Sequence, residues 1–446
     1  MDTRPSFPFT VTSRDVFRIA LPASLAFITE PLVGFTDITV IGRLGDANLL
    51  GGLVLGALLF DFLFSLAYFL RMGTAGLTAQ AIGARDPRDG LLHAARALVL
   101  AAIIGIAMIV LSPALFWVAE IALAPQPGVR EALSLYFYIR IFGAPLVLIN
   151  YVMLGWFYGR AAAPLGMTIQ ILLHGVNIVS CVLFVYGFHW GVAGAGLGTL
   201  LGQAAASITG LVLFARHYGG VRKLVALIQP GEMREISALR RLVGLNRDLM
   251  IRSAALMSAY AWFAAQGSRM GEVALSANAV LLNQLMIVAY FLDGIAQAAE
   301  QLSGKALGAN YRPAFDRAYV LSFRWGLAIS LGLGVVWYVG GGPLIDLMTT
   351  NDAVRQAARD YLWIAAMGTL TFMPAFVYDG ILVGLTLNSA MRNVMVASLG
   401  VFLVAAVLLK VPFGNLGLWL ALHLWFIARG GFYWWALERR RGGLFG

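Results

Sequence analysis

The chain has 446 residues, of which 60% are hydrophobic and 12% are charged, and its net charge is +10. Soluble proteins carry about 25% charged residues, because polar groups must cover their surface. The composition therefore excludes an ordinary soluble fold and predicts an all-α polytopic membrane protein. The single cysteine, Cys181, excludes an internal disulfide framework and a cysteine metal cluster.

Apolar segments separated by charged or Gly/Pro-containing turns predict twelve membrane-spanning helices. Each segment exceeds the roughly 20 residues that cross a hydrocarbon core. Lipid offers no hydrogen-bond partners to the backbone, so each segment is expected to form a helix, in which the backbone groups pair with one another. The predicted spans, numbered 1 to 12, are residues 15–42, 50–82, 91–119, 131–158, 164–187, 190–215, 244–269, 275–307, 316–340, 357–386, 390–411 and 415–437.

The longest polar stretch, residues 216–243, lies at the middle of the chain and is predicted to be a cytoplasmic linker. It divides the chain into an N-terminal six-helix lobe, residues 1–215, and a C-terminal six-helix lobe, residues 244–446. With both termini in the cytoplasm, the cytoplasmic segments carry 22 Lys and Arg residues and the opposite loops carry six. This bias predicts that orientation, and it accounts for the positive net charge without a nucleic-acid partner.

Short motifs recur in the same order about half a chain apart. AYFL occurs at 67–70 and 289–292, and RLGD at 43–46 faces RMGE at 269–272. The pattern predicts a duplicated six-helix unit. Because six is even, both copies have the same topology, and we expect a pseudo-twofold axis along the membrane normal to relate them. Parallel repeats around a central cavity are typical of transporters.

Asp37 is a carboxylate that the pattern places past the middle of span 1. It follows Pro31 by six residues and Gly34 by three. Proline removes a backbone hydrogen bond and bends a helix, while glycine adds room. A carboxylate beside such a kink suits a proton- or sodium-driven switch. A fixed ion pair is the alternative, and the role of Glu30 stays open.

Other polar residues of the N-terminal half lie on spans 2, 4, 5 and 6. His174, Asn177 and Cys181 are three and four residues apart, so they share one face of span 5. Asn150 and Thr199 add uncharged groups from spans 4 and 6. These side chains either form a polar pocket with Asp37 or join helices to one another. In span 2, Asp61 and Arg71 are further charged candidates.

In the C-terminal half, charged residues lie on spans 7, 8 and 10. Asp293 and Glu300 are two turns apart on one face of span 8, Asp379 lies in span 10 and Arg252 in span 7. They either line a cavity or form an Arg–acid pair that locks the bundle. Phosphate-binding loops, paired metal-binding histidines and a nucleophile elbow do not occur in the sequence, so we expect neither an enzyme nor a cofactor or metal.

Several segments resemble the DinF branch of the multidrug and toxic compound extrusion (MATE) transporters. They are ALPASLAFITEPLVGFTDITVIGRLGD, FLRMGTAGLTAQAIGARD, NAVLLNQLMIVAYFLDGIAQAAEQLSGKALGA, VYDGILVG, and MRN at 391–393. The resemblance implies two six-helix lobes around a central cavity. It also implies antiport, in which protons or Na⁺ enter while lipophilic, often cationic compounds leave.

The resemblance further implies roles for particular residues. Asp37 corresponds to the coupling carboxylate and Pro31 to the kink proline, while Asn150, Asn177 and Thr199 correspond to the polar pocket of the N-terminal lobe. Asp293, Glu300 and Asp379 correspond to charged positions of the C-terminal lobe, with Arg252 as a partner. Cys181 stands where several relatives have an aspartate, which leaves one carboxylate in the N-terminal pocket.

We therefore expect a monomeric, proton-coupled or alternatively Na⁺-coupled drug antiporter in a bacterial inner membrane. Its partners are small lipophilic or cationic substrates and membrane lipids. The alternatives are a flippase for lipids or lipid-linked oligosaccharides, a membrane enzyme acting on lipids, and a passive channel.

Overall fold

The structure, a computed structural model, describes residues 5–227 and 236–445, except for the side chains of Val225 and residues 236–246. The described residues form helices and turns, with no strand among them. Ten helices in this part of the chain are long and apolar enough to cross a membrane. They are Ser13–Gly42, Ala47–Gly83, Pro87–Val110, Pro127–Gly159, Ala163–Gly187, Gly191–His217, Glu272–Gly308, Arg312–Met348, Asp352–Gly384 and Asn388–Arg441.

Two further spans bring the number of membrane helices among the described residues to twelve. The helix Asn388–Arg441 has 54 residues and breaks at Gly414, whose φ of 55° and ψ of −129° are not helical. Glycine adopts such positive φ values readily. The parts before and after Gly414 are spans 11 and 12. Helix Ile236–Ser268 covers predicted span 7. The all-α, twelve-span prediction is confirmed.

Several spans are interrupted along their length. Span 1 consists of Ser13–Ile28 and Glu30–Gly42, which meet at Thr29. Pro31 lacks the N–H that would continue the helical hydrogen bonds at this point. Span 2 is likewise divided at Tyr68, and span 3 is followed after Val110 by the separate helix Ser112–Leu123.

Spans 4 and 5 contain other helix types. Span 4 has a 3₁₀ turn at Ile141–Gly143 between Pro127–Arg140 and Ala144–Gly159. Span 5 ends in the π-helical turn Leu183–Gly187. Such irregular turns often mark functional segments of helices.

The chain divides into two compact units. One, the N unit, consists of Leu25–Thr78 and Asp86–Leu242. The other, the C unit, consists of Met1–Ser24, Ala79–Arg85 and Val243–Gly446. This grouping differs from the predicted lobes, 1–215 and 244–446, because the starting turns of span 1 and the final turns of span 2 belong to the C unit.

The predicted linker, residues 216–243, is described only in part. Val221–Leu227 is a short helix, and span 7 begins at Ile236, inside the predicted linker. Residues 228–235 lie outside the described part of the chain.

Aromatic side chains form the core of the N unit between spans 2 and 4. Phe60 stacks on Phe64 and on Phe137, in each case with 5.5 Å between ring centroids. In the C unit, spans 8 and 10 approach at their backbones, since a Cβ added at Gly380 or Gly384 would overlap main-chain atoms of span 8. Small residues four apart allow such close packing between membrane helices.

Candidate functional site

Asp37 is buried in the second helix of span 1, Glu30–Gly42, with 6% of its surface exposed. The thiol of Cys181, on span 5, hydrogen-bonds to its carboxylate, and Arg140 of span 4 acts on it electrostatically. The oxygen Oδ1 is buried and has no hydrogen-bond partner among the described residues. Three spans therefore meet at a carboxylate whose hydrogen-bonding capacity the protein satisfies only in part.

Arg140 links two carboxylates of the N unit, one on span 1 and one on span 2. It acts electrostatically on both Asp37 and Asp61. Its Nη1 donates a hydrogen bond of 2.7 Å to the Tyr136 hydroxyl, and its guanidinium lies 4.8 Å from the ring centroid of Phe60. Stacking on an aromatic ring stabilises a cation away from water. The arginine is thus held in place by its own span and by span 2.

Asn177 and Thr199 connect spans 5 and 6. The Asn177 side-chain amide donates a hydrogen bond of 2.9 Å to Thr199 Oγ1, which in turn donates to the Ala195 carbonyl at 3.1 Å. The helices come this close because Gly198 has no side chain. A Cβ at this position would lie 2.8 Å from the backbone nitrogen of Cys181. Asn177 lies one turn from Cys181. The structure therefore brings the predicted Asp37, Asn177 and Thr199 into one region.

Asn150 and His174 are also buried in the N unit. Neither takes part in the hydrogen bond that joins Asn177 to Thr199. Asn150 Oδ1 and both ring nitrogens of His174 find no hydrogen-bond partner within the described part of the chain. Spans 4 and 5 therefore each carry buried polar atoms that form no hydrogen bond with the described residues.

The Tyr151 hydroxyl of span 4 marks a second charged region of the N unit. The charged groups that act on it are Glu30, Asp61, Arg71 and Arg140. Arg71 is buried, and its guanidinium lies 4.5 Å from the ring centroid of Tyr68. Glu30 and Asp61 are exposed on the N unit. Acidic, basic and aromatic groups therefore lie together on this part of spans 1, 2 and 4.

Asp379 of the C unit is held between two arginines. Arg252 of span 7 and Arg429 of span 12 both donate from Nη2 to its Oδ2. All three side chains are buried. The Arg429 guanidinium also lies 5.5 Å from the ring centroid of Tyr433. Of the two interpretations given for these charges, the geometry favours an ion pair for Asp379 and Arg252.

Asp293 and Glu300 lie on span 8 of the C unit. Asp293 is half-buried, and together with Arg429 it acts electrostatically on the hydroxyl of Tyr260. Glu300 is buried, and its backbone carbonyl accepts a hydrogen bond of 3.2 Å from Ser303. A cavity role for both acids stays a prediction.

Comparison with known proteins assigns the family. A family model described as MatE matches residues 22–183 and again residues 249–411. The chain belongs to the multidrug and toxic compound extrusion (MATE) family. The two matches fall one on each half of the chain, in agreement with the repeat seen in the sequence.

Individual MATE relatives support this assignment. The chain is 34% identical over 426 residues to DNA damage-inducible protein F of Escherichia coli, covering 94% of this chain and 91% of the relative. It is 20% identical over 371 residues to the multidrug export protein MepA of Staphylococcus aureus, covering 82% and 80%. The first similarity confirms the resemblance to the DinF branch.

A solved MATE structure confirms the fold. It is described as the outward-facing conformation of a multidrug resistance MATE family transporter of the MOP superfamily. The TM-score is 0.87 at 18% identity, and the match covers 98% of this chain and 99% of that one. This chain is thus a multi-pass membrane transporter of the MATE fold.

Within this MATE chain, the region around Asp37 differs chemically from that around Asp379. Each carboxylate has one buried oxygen without a described partner, but Asp37 contacts a thiol, whereas Asp379 is bound by two guanidiniums. A carboxylate bound to two permanent cations remains ionised, because arginine does not lose its proton in proteins. The two carboxylates therefore have different electrostatic surroundings.

Sequence reasoning left two arginines of this MATE chain without an assigned role. Arg140 and Arg429 both lie inside predicted spans, and an ionisable residue at such a position is a signal of function. Their partners, Asp37 and Asp379, lie on other helices far away in the sequence. Within residues 5–227 and 236–445, no group of three or more His, Cys, Asp or Glu side chains is placed to hold a metal ion.

Proposed function

We propose that this MATE transporter is a secondary active efflux antiporter that exports lipophilic, often cationic compounds in exchange for protons. It acts as a monomer in a bacterial inner membrane, with both termini in the cytoplasm. The export function is supported by the relatives, of which MepA is named a multidrug export protein. Coupling to an ion gradient is supported by the sequence, which contains no Gly-rich phosphate loop for ATP.

The single observation that carries this proposal is the setting of Asp37. Its ionised carboxylate lies in the field of Arg140, and it accepts a hydrogen bond from Cys181. A proton on Asp37 removes the negative charge that offsets Arg140. The ionised and protonated states therefore favour different positions of the helix that carries Asp37, and protons shift the population between them.

Span 1 offers a place for this movement. Its two helices meet at Thr29, beside Pro31, with Gly34 one turn further on. The open surroundings of Gly34, where an added Cβ would meet no atom within 4 Å, leave room for a change of direction. In the proposed cycle, protonation of Asp37 bends span 1 at Pro31–Gly34 and weakens substrate binding.

The charged region around Tyr151 supports a cationic cargo. The carboxylates of Glu30 and Asp61 are exposed near the Tyr151 ring, whereas the two arginines of this region are buried or half-buried. Carboxylates attract organic cations, and aromatic faces bind them through cation–π contacts. The Asp379 carboxylate is bound by two arginines and does not contribute to this attraction.

The test is transport by purified protein in proteoliposomes with an imposed pH gradient or Na⁺ gradient, applied separately. We expect the pH gradient to drive efflux of a fluorescent lipophilic cation, and Asp37→Asn to abolish it. Asp360→Asn, a change at an exposed aspartate, is the matched control and retains efflux. If a Na⁺ gradient alone drives efflux by the wild type, the coupling ion is Na⁺ and not the proton. If Asp37→Asn still shows pH-driven efflux, Asp37 is not the coupling residue.

A further inference from the structure

One face of span 5 carries a line of polar side chains that the proposed cycle uses only at one end. The line is Gln170, His174, Asn177 and Cys181, with spacings of four, three and four residues. Residues so spaced lie above one another on a helix. At 1.5 Å per residue, the line extends about 16 Å. It begins at Asp37, which contacts Cys181, and runs toward the start of span 5 at Ala163, on the predicted cytoplasmic side.

The polar atoms of this line are buried but not satisfied by the protein. His174 is 7% exposed and Asn177 is 0% exposed. Gln170 Oε1, Asn177 Oδ1 and both ring nitrogens of His174 have no hydrogen-bond partner among the described residues. Buried polar groups are almost always hydrogen-bonded, and water is the partner where protein supplies none. The unpaired atoms therefore indicate a hydrated path along span 5.

The neighbouring spans 4 and 6 continue this pattern. Gln203 lies one turn after Thr199 on span 6, and its Oε1 is also buried without a described partner. Gly202, beside Gln203, packs against the Leu173 carbonyl, which places this turn of span 6 next to His174. Asn150 supplies a further such oxygen from span 4.

We propose that Gln170, His174, Asn177 and Cys181 line a hydrated proton route between Asp37 and the cytoplasm, with His174 as its relay. This inference rests on the proposed proton coupling at Asp37. Imidazole suits a relay because one ring nitrogen accepts a proton while the other releases one. The proton leaves Asp37, passes through water and His174, and enters cytoplasmic water. The carboxylate returns to its ionised state, and no other reactant is consumed.

The charges along the route lie at its outer end. Arg140, which also acts on Asp61, lies near Asp37, where a proton is loaded, while the group that span 6 adds near His174 is the uncharged amide of Gln203. Neither ring nitrogen of His174 has a hydrogen-bond partner among the described residues. Its proton transfer therefore depends on water and amide groups rather than on an ion pair.

The experiment compares His174→Leu and Gln170→Leu with the wild type in proteoliposomes. The rate of pH-driven efflux is measured at saturating substrate, and substrate affinity is measured at fixed pH. We expect both variants to be at least about tenfold slower, because positioned groups accelerate proton transfer by that factor or more, with affinity unchanged. His174→Gln, which keeps polar atoms, restores part of the rate. Thr168→Val, on the exposed face of span 5, is the matched control.

The outcomes separate this inference from the proposed function. Efflux at the wild-type rate by both leucine variants, while Asp37→Asn is inactive, overturns the route and leaves Asp37 as the coupling group. Slower efflux that is matched by an equal loss of substrate affinity also overturns the route. Efflux by Asp37→Asn contradicts the proposed function itself. Gln170 is only half-buried, so Gln170→Leu provides a folded test if His174→Leu does not fold.

Discussion

Asp379 and Arg252, which are 127 residues apart in the chain, form a buried ion pair that joins span 10 to span 7. Arg429 binds the same carboxylate oxygen, so one negative charge offsets two positive charges. Taking charges out of water is costly unless they are paired. The Asp379 carboxylate therefore fixes three helices of the C unit at one point.

Removal of this carboxylate should destabilise the protein. We expect Asp379→Asn to lower the free energy of unfolding by about 3–5 kcal/mol, because it leaves two buried guanidiniums without a counter-charge. The measurement is thermal unfolding in detergent. The control is again Asp360→Asn, whose exposed carboxylate accepts a hydrogen bond from Gln356 at 2.9 Å. Equal melting temperatures for the two variants would contradict the network.

The close contact of spans 8 and 10 predicts opposite effects for two glycine substitutions. A Cβ at Gly384 would overlap the backbone of Glu300 and Gly304, so we expect Gly384→Ala to destabilise by about 1–3 kcal/mol. A Cβ at Gly332 would meet no atom within 4 Å, so Gly332→Ala should be neutral or stabilise by up to about 1 kcal/mol. The measurement is the unfolding midpoint of each alanine variant, compared with that of the wild type under the same conditions. Stabilisation by both alanines would rule out the contact.

The hydrogen bond between Asn177 and Thr199 predicts a difference between two small substitutions. Thr199→Val keeps the side-chain shape but removes the acceptor of the buried Asn177 amide, at a cost of about 1–3 kcal/mol. Thr199→Ser keeps the hydroxyl and should stay close to the wild type. Thr168→Val is the control, since the Thr168 hydroxyl bonds within its own helix to the Pro164 carbonyl. A loss of stability as large in the control as in Thr199→Val would show that the hydrogen bond is not the cause.

Arg140 should influence transport through its charge. We expect Arg140→Met to lower pH-driven efflux by roughly 5-fold to 150-fold, which is the range that typical coupling free energies produce. The reason is that the positive charge that acts on the Asp37 carboxylate is then lost. Arg140→Lys keeps the charge but loses the planar contacts with Phe60 and Tyr136, so its efflux should lie in between.

The control for this prediction is Arg130→Met on the same span. Arg130 is exposed and pairs with Glu120, so its loss should leave the transport rate unchanged. If Arg140→Met transported as fast as Arg130→Met, the electrostatic link between Arg140 and Asp37 would have no part in coupling.

The sequence by itself determined the number and position of the membrane helices. Lipid requires every backbone group to be paired inside a helix, so each long apolar segment has one available structure. The break near Thr29 was also readable, because Pro31 lacks the N–H that a continuous helix needs. Span ends were less accurate. Span 9, predicted at 316–340, extends over Arg312–Met348, because the helix begins four residues before the apolar segment and continues through Gly341, Gly342 and Pro343.

Only the tertiary structure decided which side chains meet. Helical periodicity placed His174, Asn177 and Cys181 on one face, but it did not say that this face meets Asp37. Arg252 had three acids as candidate partners in the sequence, and packing chose Asp379 and added Arg429. The physical reason is that a helix fixes the neighbours of a residue within its own turns, whereas partners on other helices depend on how the helices pack.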